Sequence, residues 1–512
     1  MSSSPQASGL PPSEFLGGGN LALSLRAAAA SRPGHVAITH GGRSVTVAEL
    51  EARSARAAAL LAARGVGRGD RVAIQLPNVP AFVDFYFAVL RLGGVVVPVN
   101  PLLRAAESAF TLEDAEARVL IAWHESEAPE GGAGVESIRI EEPFGGDVLD
   151  GIEGDDAVAE VDPGETAVIL YTSGTTGRPK GAELTHRNLG LNTRAVIAEL
   201  AIGADDVLLG TLPLFHSFGQ TCTLNSSIAV GARLALLTRF DAEAAIELVD
   251  REGVTILMGV PTMLAGIAAA AADHGPFPGL RIVASGGAPL PREQAENFER
   301  VTGSPVLDTW GLSETSPATT LNRPGANRAG SVGRPIEGVE VRAVGEEGEG
   351  LPAGETGQLA IRGHNVMKGY WRRPEATAAA ITPEGWFLTG DLGRVDDDGY
   401  VYVIGRLKDM IIRGGLNVYP REVEEVLHRH PAVSEAAIVG VPDERLGEEV
   451  GAAVVLAPGA AAAPEELRDW LKERVAPFKY PRRVWMLDEL PKGPTGKILK
   501  REIHPPAEEA AA

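Results

Sequence analysis

A short apolar strand that opens into a loop of hydroxyls and glycines limits this chain more than any other stretch of it. Ala167-Val168-Ile169-Leu170 has the length and character of a buried strand, and it runs directly into Tyr171-Thr172-Ser173-Gly174-Thr175-Thr176-Gly177-Arg178-Pro179-Lys180-Gly181. The loop supplies side-chain hydroxyls, unhindered backbone N–H groups and a lysine, which together can hold a polyphosphate. It differs from the common mononucleotide loop, where Ser or Thr follows Lys, because here Gly181 follows Lys180.

The surroundings fit an α/β frame for that strand. Residues 35 to 165 alternate helical and strand-like stretches, with helices expected over 48–63 and 81–92 and a strand over 71–75. An acidic, Gly-rich segment from about 125 to 165 reads as a surface excursion. Alternation resumes with strands near 207–212, 255–258 and 281–285 and helices near 242–252 and 261–272, the pattern of a layered α/β domain with largely parallel strands. From 330 to 405 short strands and Gly/Pro turns predict a small β-rich subdomain without a helix. After Arg406 a compact α+β pattern follows. At 512 residues the chain is too long for one core. The expected division is a loose tail (1–19), a large domain (20–407) and a small mobile domain (408–512), with the last dozen residues frayed.

Composition narrows the partners. The formal charge of −21 argues against nucleic acid or an anionic membrane surface, and requires cations to be gathered wherever an anionic ligand binds. No apolar stretch approaches the roughly 18 residues of a membrane span. One cysteine, Cys222, excludes an internal disulfide and fits a reducing, cytoplasmic setting; it reads as a small buried residue.

Five further segments carry chemistry. Val283-Ala284-Ser285-Gly286-Gly287-Ala288-Pro289-Leu290 is a strand ending in a Gly pair, where something flat can lie against the backbone. Asp308-Thr309-Trp310-Gly311-Leu312-Ser313-Glu314-Thr315 sets an aromatic ring that can stack on a purine four residues before a carboxylate that can hold magnesium. In Trp386-Phe387-Leu388-Thr389-Gly390-Asp391 a carboxylate follows a tight turn at a strand end, suited to two ribose hydroxyls. Gly405-Arg406-Leu407-Lys408-Asp409-Met410-Ile411-Ile412-Arg413-Gly414-Gly415-Leu416-Asn417 is a charged turn, a strand and a Gly pair. Pro491-Lys492-Gly493-Pro494-Thr495-Gly496-Lys497-Ile498-Leu499 holds a lysine out on a loop.

In this order the six segments resemble the core motifs of the adenylate-forming superfamily, which comprises acyl-CoA synthetases, aryl-CoA ligases, firefly luciferase and peptide-synthetase adenylation domains. The likeness spans about residues 25–503 and is greatest to stand-alone fatty-acyl-CoA and 4-coumarate-type CoA ligases. Further matches are Leu184-Thr185-His186-Arg187-Asn188-Leu189, Pro213-Leu214-Phe215-His216-Ser217-Phe218-Gly219 and Gly369-Tyr370-Trp371-Arg372-Arg373-Pro374-Glu375-Ala376-Thr377.

The resemblance implies an acid-thiol ligase that uses ATP, Mg2+ and CoA. By carry-over, Thr172, Ser173, Gly174, Thr175, Thr176 and Lys180 hold the β- and γ-phosphates, Glu314 the metal, and Thr315 the α-phosphate. Gly287, Ala288 and Trp310 frame the adenine, with Asp308 and Gly311 in the same ATP site, while Asp391 and Arg406 take the ribose hydroxyls. Lys497 is the adenylation lysine, Lys408 the hinge, and Gly414-Gly415 the lining of the CoA tunnel. His216 stands at the mouth of the acyl pocket, with Phe218 and Gly311 beside it.

Leu212 to Gly219 lacks the Asp that peptide-synthetase domains use to pair an amino group, so the resemblance implies an apolar acid. A medium-to-long fatty acid fits best, with an aryl or polycyclic acid as the alternative. An acyl carrier protein is the alternative acceptor, although Gly390 to Lys408 leaves little room for the insertion those relatives carry. A luciferase-like oxygenase shares the ATP motifs. A non-catalytic nucleotide-binding protein would be expected to lose Lys497 or Glu314, and both are present. Oligomeric state, monomer or homodimer, is left open.

Overall fold

Ala81-Phe82-Val83 through Leu90 forms a helix with no polar face, and such a helix must be enclosed. Helix Pro80–Arg91 is indeed buried along its whole length, between the layers of a computed structural model that describes residues 16–129, 135–172, 178–493 and 497–506. Its two internal charges are paired: Asp84 with Arg53 at 2.6 Å and Arg91 with Glu51 at 2.5 Å.

Two large sheets flank this core. A seven-stranded sheet carries strand Thr166–Thr172 and its antiparallel partner Lys180–Thr185 beside the parallel strands Val95–Pro98, Arg71–Gln75, Ala117–Trp123 and Glu136–Ile140. A nine-stranded sheet brings Val207–Gly210, Ile256–Gly259, Ile282–Ser285 and Val306–Gly311 into parallel register. One hydrophobic cluster joins side chains from both sheets. A four-stranded antiparallel sheet, Val339–Val344, Gly357–Gly363, Phe387–Val395 and Val401–Arg406, forms the β-rich subdomain. The C-terminal part is a five-stranded sheet with helices Pro420–Leu427 and Pro464–Lys472, packed around its own apolar clusters. The fold is therefore a large α/β domain with a β-rich subdomain, followed by a small α+β domain.

Four expectations are corrected. The supposed excursion after residue 125 contains strand Glu136–Ile140, whose Ile138 and Ile140 are buried at the sheet edge. The β-rich region contains a helix, Pro374–Ala380; no residue of it is buried, so it leaves no apolar periodicity to read. Residues 16–19 are not a loose tail, because Leu16 is buried and Leu21 N–H donates to His186 Nδ1 at 3.1 Å. Nor is the C-terminus frayed from 501, since Ile503 is buried in the small domain's core.

Candidate active site

Thr172 and Lys180 lie opposite each other in the antiparallel ladder, so they form the base of the Gly/Thr loop. Ser173, Gly174, Thr175 and Thr176, with which the sequence reading filled the loop, lie outside the described residues. Gly181 is required by close approach: a Cβ there would stand 2.6 Å from Ile169 Cγ2 and 3.2 Å from the Tyr171 ring. Outside this hairpin, strand Gly369–Tyr370 adds itself to the edge, with Tyr370 in register with Ala182 and Trp371 N–H donating to Gly181 O at 2.7 Å.

That extra strand aims Tyr370 into the site. Its hydroxyl donates to Glu314 Oε1 at 3.0 Å, and the Thr172 hydroxyl donates to the same oxygen at 3.3 Å. The Lys180 ammonium stands 5.2 Å from the centre of the Tyr370 ring. Burial and the Glu314 carboxylate hold the Tyr370 phenol well above its ordinary pKa, so it stays a donor. Among the described residues, no donor reaches the second oxygen of Glu314. Nor do the described residues contain a cluster of three or more His, Cys, Asp or Glu able to hold a metal on its own. Tyr370 escaped the sequence reading because its partner is 56 residues away; the only signal was its place in the Gly369-Tyr370-Trp371 segment.

A second group gathers around Asp391, which is almost wholly buried. The carboxylate sits inside strand Phe387–Val395 rather than at a strand end as expected, on the ladder rung that pairs it with Arg406. Arg406 Nε contacts Oδ1 at 2.6 Å, and Trp310 Nε1–H donates to Oδ2 at 2.8 Å. Burial raises its pKa despite Arg406 and Trp310. Asp308, within strand Val306–Gly311 that carries Trp310, is pushed up to about 7 by burial, opposed by Arg421 of the small domain. Thr315 is fully buried and its hydroxyl bonds the carbonyls of Leu312 (3.0 Å) and Pro317 (2.8 Å), so it shapes the turn that carries Glu314.

The third group joins the two domains. Arg421 Nη1 donates to Val403 O at 2.6 Å, fastening helix Pro420–Leu427 to the β-rich subdomain. Gly493 N–H donates to Lys497 O at 2.8 Å, and Lys492 forms an antiparallel bridge with Ile498, which fixes the Lys497 backbone. The residue as a whole is exposed, yet the atoms crowding its ammonium and the nearby Arg406 cation pull its pKa down to about 8, against Asp391 and Asp409. Lys497 in turn acts on His216, which burial chiefly and Lys497 secondarily hold at a pKa of about 4. His216 is therefore neutral near pH 7. Its Nδ1 accepts from Phe218 N–H at 3.2 Å, which places the ring proton on Nε2. His216 lines a narrow cavity of about 30 Å³ with Leu212, Pro213, Phe218, Val260 and Gly287. Asn78, not singled out in the sequence, shapes this wall by bonding Gly210 O, Leu212 O and Leu214 N–H at 2.9–3.1 Å. Ala288 is half-buried beside Gly287, and Gly311 ends the strand that carries Trp310.

Gly414 and Gly415 form the two-residue turn of a hairpin between Ile411–Arg413 and Leu416–Val418, with φ of +56° and +82°. The backbone alone calls for glycine there. Lys408 is exposed in the short 3-10 turn Leu407–Asp409 that joins the domains.

Residues 25–371 match the family model of the AMP-binding enzymes, and residues 422–497 that of the AMP-binding enzyme C-terminal domain. The chain is 41% identical to a feruloyl-CoA synthase of Amycolatopsis sp over 478 residues, covering 92% of this chain and 96% of the other. It is 37% identical to a long-chain-fatty-acid–CoA ligase of Bacillus subtilis, covering 93% and 92%. The crystal structure of ATP-bound MatB from Rhodopseudomonas palustris superposes with a TM-score of 0.88 at 34% identity, covering 94% of this chain and 97% of that one. Over residues 25–371 and 422–497, the chain belongs to the AMP-binding enzymes, the adenylate-forming family, and is an AMP-forming acid-thiol ligase.

Proposed function

We propose that the enzyme activates a compact aryl acid with ATP and passes the acyl group to CoA. The observation that carries this reading is that the Lys497 charge, from the small domain, is felt by both pocket-lining His216 and the carboxylate Asp391, which Arg406 and Trp310 hold. The acid would lie in the slot between His216, Phe218 and Gly287, with its carboxylate toward Lys497. Asp391 would accept the ribose hydroxyls beside Trp310, and the loop between Thr172 and Lys180 would hold the outer phosphates.

The acid carboxylate attacks the α-phosphorus, the bond to pyrophosphate breaks, and acyl-AMP results. Like charges meet in that step, so cations and N–H donors rather than a general base lower its barrier. Glu314 fits a magnesium ion, because one carboxylate with an oxygen free of described donors, supplemented by phosphates, is the usual protein share of such a site. When bound, that ion neutralises phosphate charge. In the second step the CoA thiol attacks the acyl carbon and AMP departs, with the small domain turning about Lys408 to clear Lys497 from the path. The direct run from Arg406 into the Leu407–Asp409 turn, without an insertion, supports CoA over a carrier protein.

The 41% identity to a feruloyl-CoA synthase favours a ring. A medium-to-long fatty acid is the second reading, supported by the apolar Leu212, Phe218 and Val260. Lys497→Ala tests the central assignment. It should abolish acid-dependent ATP–pyrophosphate exchange while still converting supplied acyl-AMP and CoA to thioester; equal loss of both half-reactions would refute the role.

A further inference from the structure

Helix Pro420–Leu427 carries a cation at its unfavourable end. Arg421 is its second residue, and a positive charge in the first turn opposes the helix dipole. What holds it there lies mostly outside the helix. Arg421 is buried; its Nε donates to Glu425 Oε1 at 3.2 Å and its Nη1 to Val403 O at 2.6 Å. Among the described residues, the bond to Val403 is the one hydrogen bond between the two domains. Val403 belongs to strand Val401–Arg406, on the large-domain side of the Leu407–Asp409 turn, and Arg421 lies beyond that turn. A small domain turning about Lys408 carries Arg421 away from Val403. The bond therefore belongs to the arrangement in which the Lys497 charge is felt by His216 and Asp391.

The same guanidinium acts on a large-domain carboxylate. Burial dominates at Asp308, and the charges that face it are Arg421 and Glu425, both from helix Pro420–Leu427, with the Thr309 N–H of its own strand also favouring the ionised form. Arg421 thus serves two carboxylates, one from each domain. Without it, Asp308 and Glu425 repel each other across the boundary. A second small-domain cation, Arg429, acts on Glu293 of helix Arg292–Thr302, but both are exposed, and an exposed pair contributes little.

We propose that Arg421 is a positioning residue for the first half-reaction: it fastens the small domain in the arrangement that turns Lys497 toward His216 and Asp391, and its release accompanies the turn to thioester formation. This rests on the reading of Lys497 as the adenylation lysine and Lys408 as the hinge.

Two measurements on the full chain test it. Cys222 is buried, so spin labels on Glu293→Cys and Arg429→Cys report the distance between the domains without any substrate. Arg421→Ala should shift that distance distribution to longer values. In the unlabelled enzyme at pH 8, Arg421→Ala should lower 4-hydroxycinnamate-dependent ATP–pyrophosphate exchange about tenfold or more, while conversion of supplied acyl-AMP and CoA to thioester stays within about twofold. The deficit should narrow below pH 7, because protonated Asp308 neither draws Arg421 nor repels Glu425. Arg421→Lys, which keeps the cation, should recover most of the exchange, and Arg429→Ala should stay within about twofold of wild type. An unchanged distance distribution in Arg421→Ala, or equal loss of both half-reactions, would overturn the inference. Exchange retained by Lys497→Ala would overturn the reading beneath it instead. A wild type without exchange on 4-hydroxycinnamate would overturn the aryl-acid reading, and the distances then decide the inference alone.

Discussion

Replacing Tyr370 by Phe removes one oxygen and leaves the ring. The bond lost is the 3.0 Å donation to Glu314 Oε1, after which, among the described residues, only the Thr172 hydroxyl, at 3.3 Å, steadies that carboxylate. A hydrogen bond to a charged group contributes about 1.5–3 kcal/mol, and because both side chains are half-buried the lower end applies. If Glu314 holds the metal, kcat/KM for ATP should fall by roughly tenfold. The ring still faces Lys180 at 5.2 Å. Tyr370→Leu removes that contact as well, at about 0.5–1 kcal/mol, so it should lose roughly a further two- to fivefold. Acid-dependent ATP–pyrophosphate exchange with Mg2+ and ATP varied, alongside calorimetric ATP binding, reads both steps. A Phe variant within twofold of wild type, or Phe and Leu variants alike, would refute the assignment.

Trp310→Phe keeps a flat ring against the nucleotide but loses the donor to Asp391, so KM for ATP should rise about five- to tenfold with kcat little changed in initial-rate measurements. Lys497 acts as a cation, so kcat/KM should decline as pH rises through about 8, and His216, neutral above about pH 4, should add no inflection between pH 5 and 7. His186, buried and held at a pKa of about 4 by desolvation, binds its proton more readily when the chain is unfolded. Its contribution to stability is therefore complete above pH 6.5 and is lost as pH falls toward 4, by up to about 3 kcal/mol. A His186→Gln variant should show a flatter fall of Tm over that window.

Much of this architecture is legible in the chain because local and global signals agree. The helix expected over 242–252 is found as Ala242–Glu252, since Asp241 caps one end through the Ala244 N–H and Gly253 closes the other with φ of +64°. What escaped reading is what depends on distant partners. Strand Glu136–Ile140 has an acidic, Gly-rich setting and becomes a strand only by pairing with Ala117–Trp123. Glu314 meets Thr172 across 142 residues, and Tyr370 across 56. The pair Gly414-Gly415 shows the converse: both glycines were visible, but their backbone conformation, rather than a narrow ligand path, is sufficient reason for them.

Pyrophosphate released from ATP, Mg2+ and 4-hydroxycinnamate, with and without CoA, tests the two-step account most directly. Without CoA the account predicts a burst near one equivalent per enzyme, as acyl-AMP stays bound, and with CoA sustained turnover matched by AMP and thioester. Release that is acid-independent, or that continues at the same rate without CoA, would contradict it.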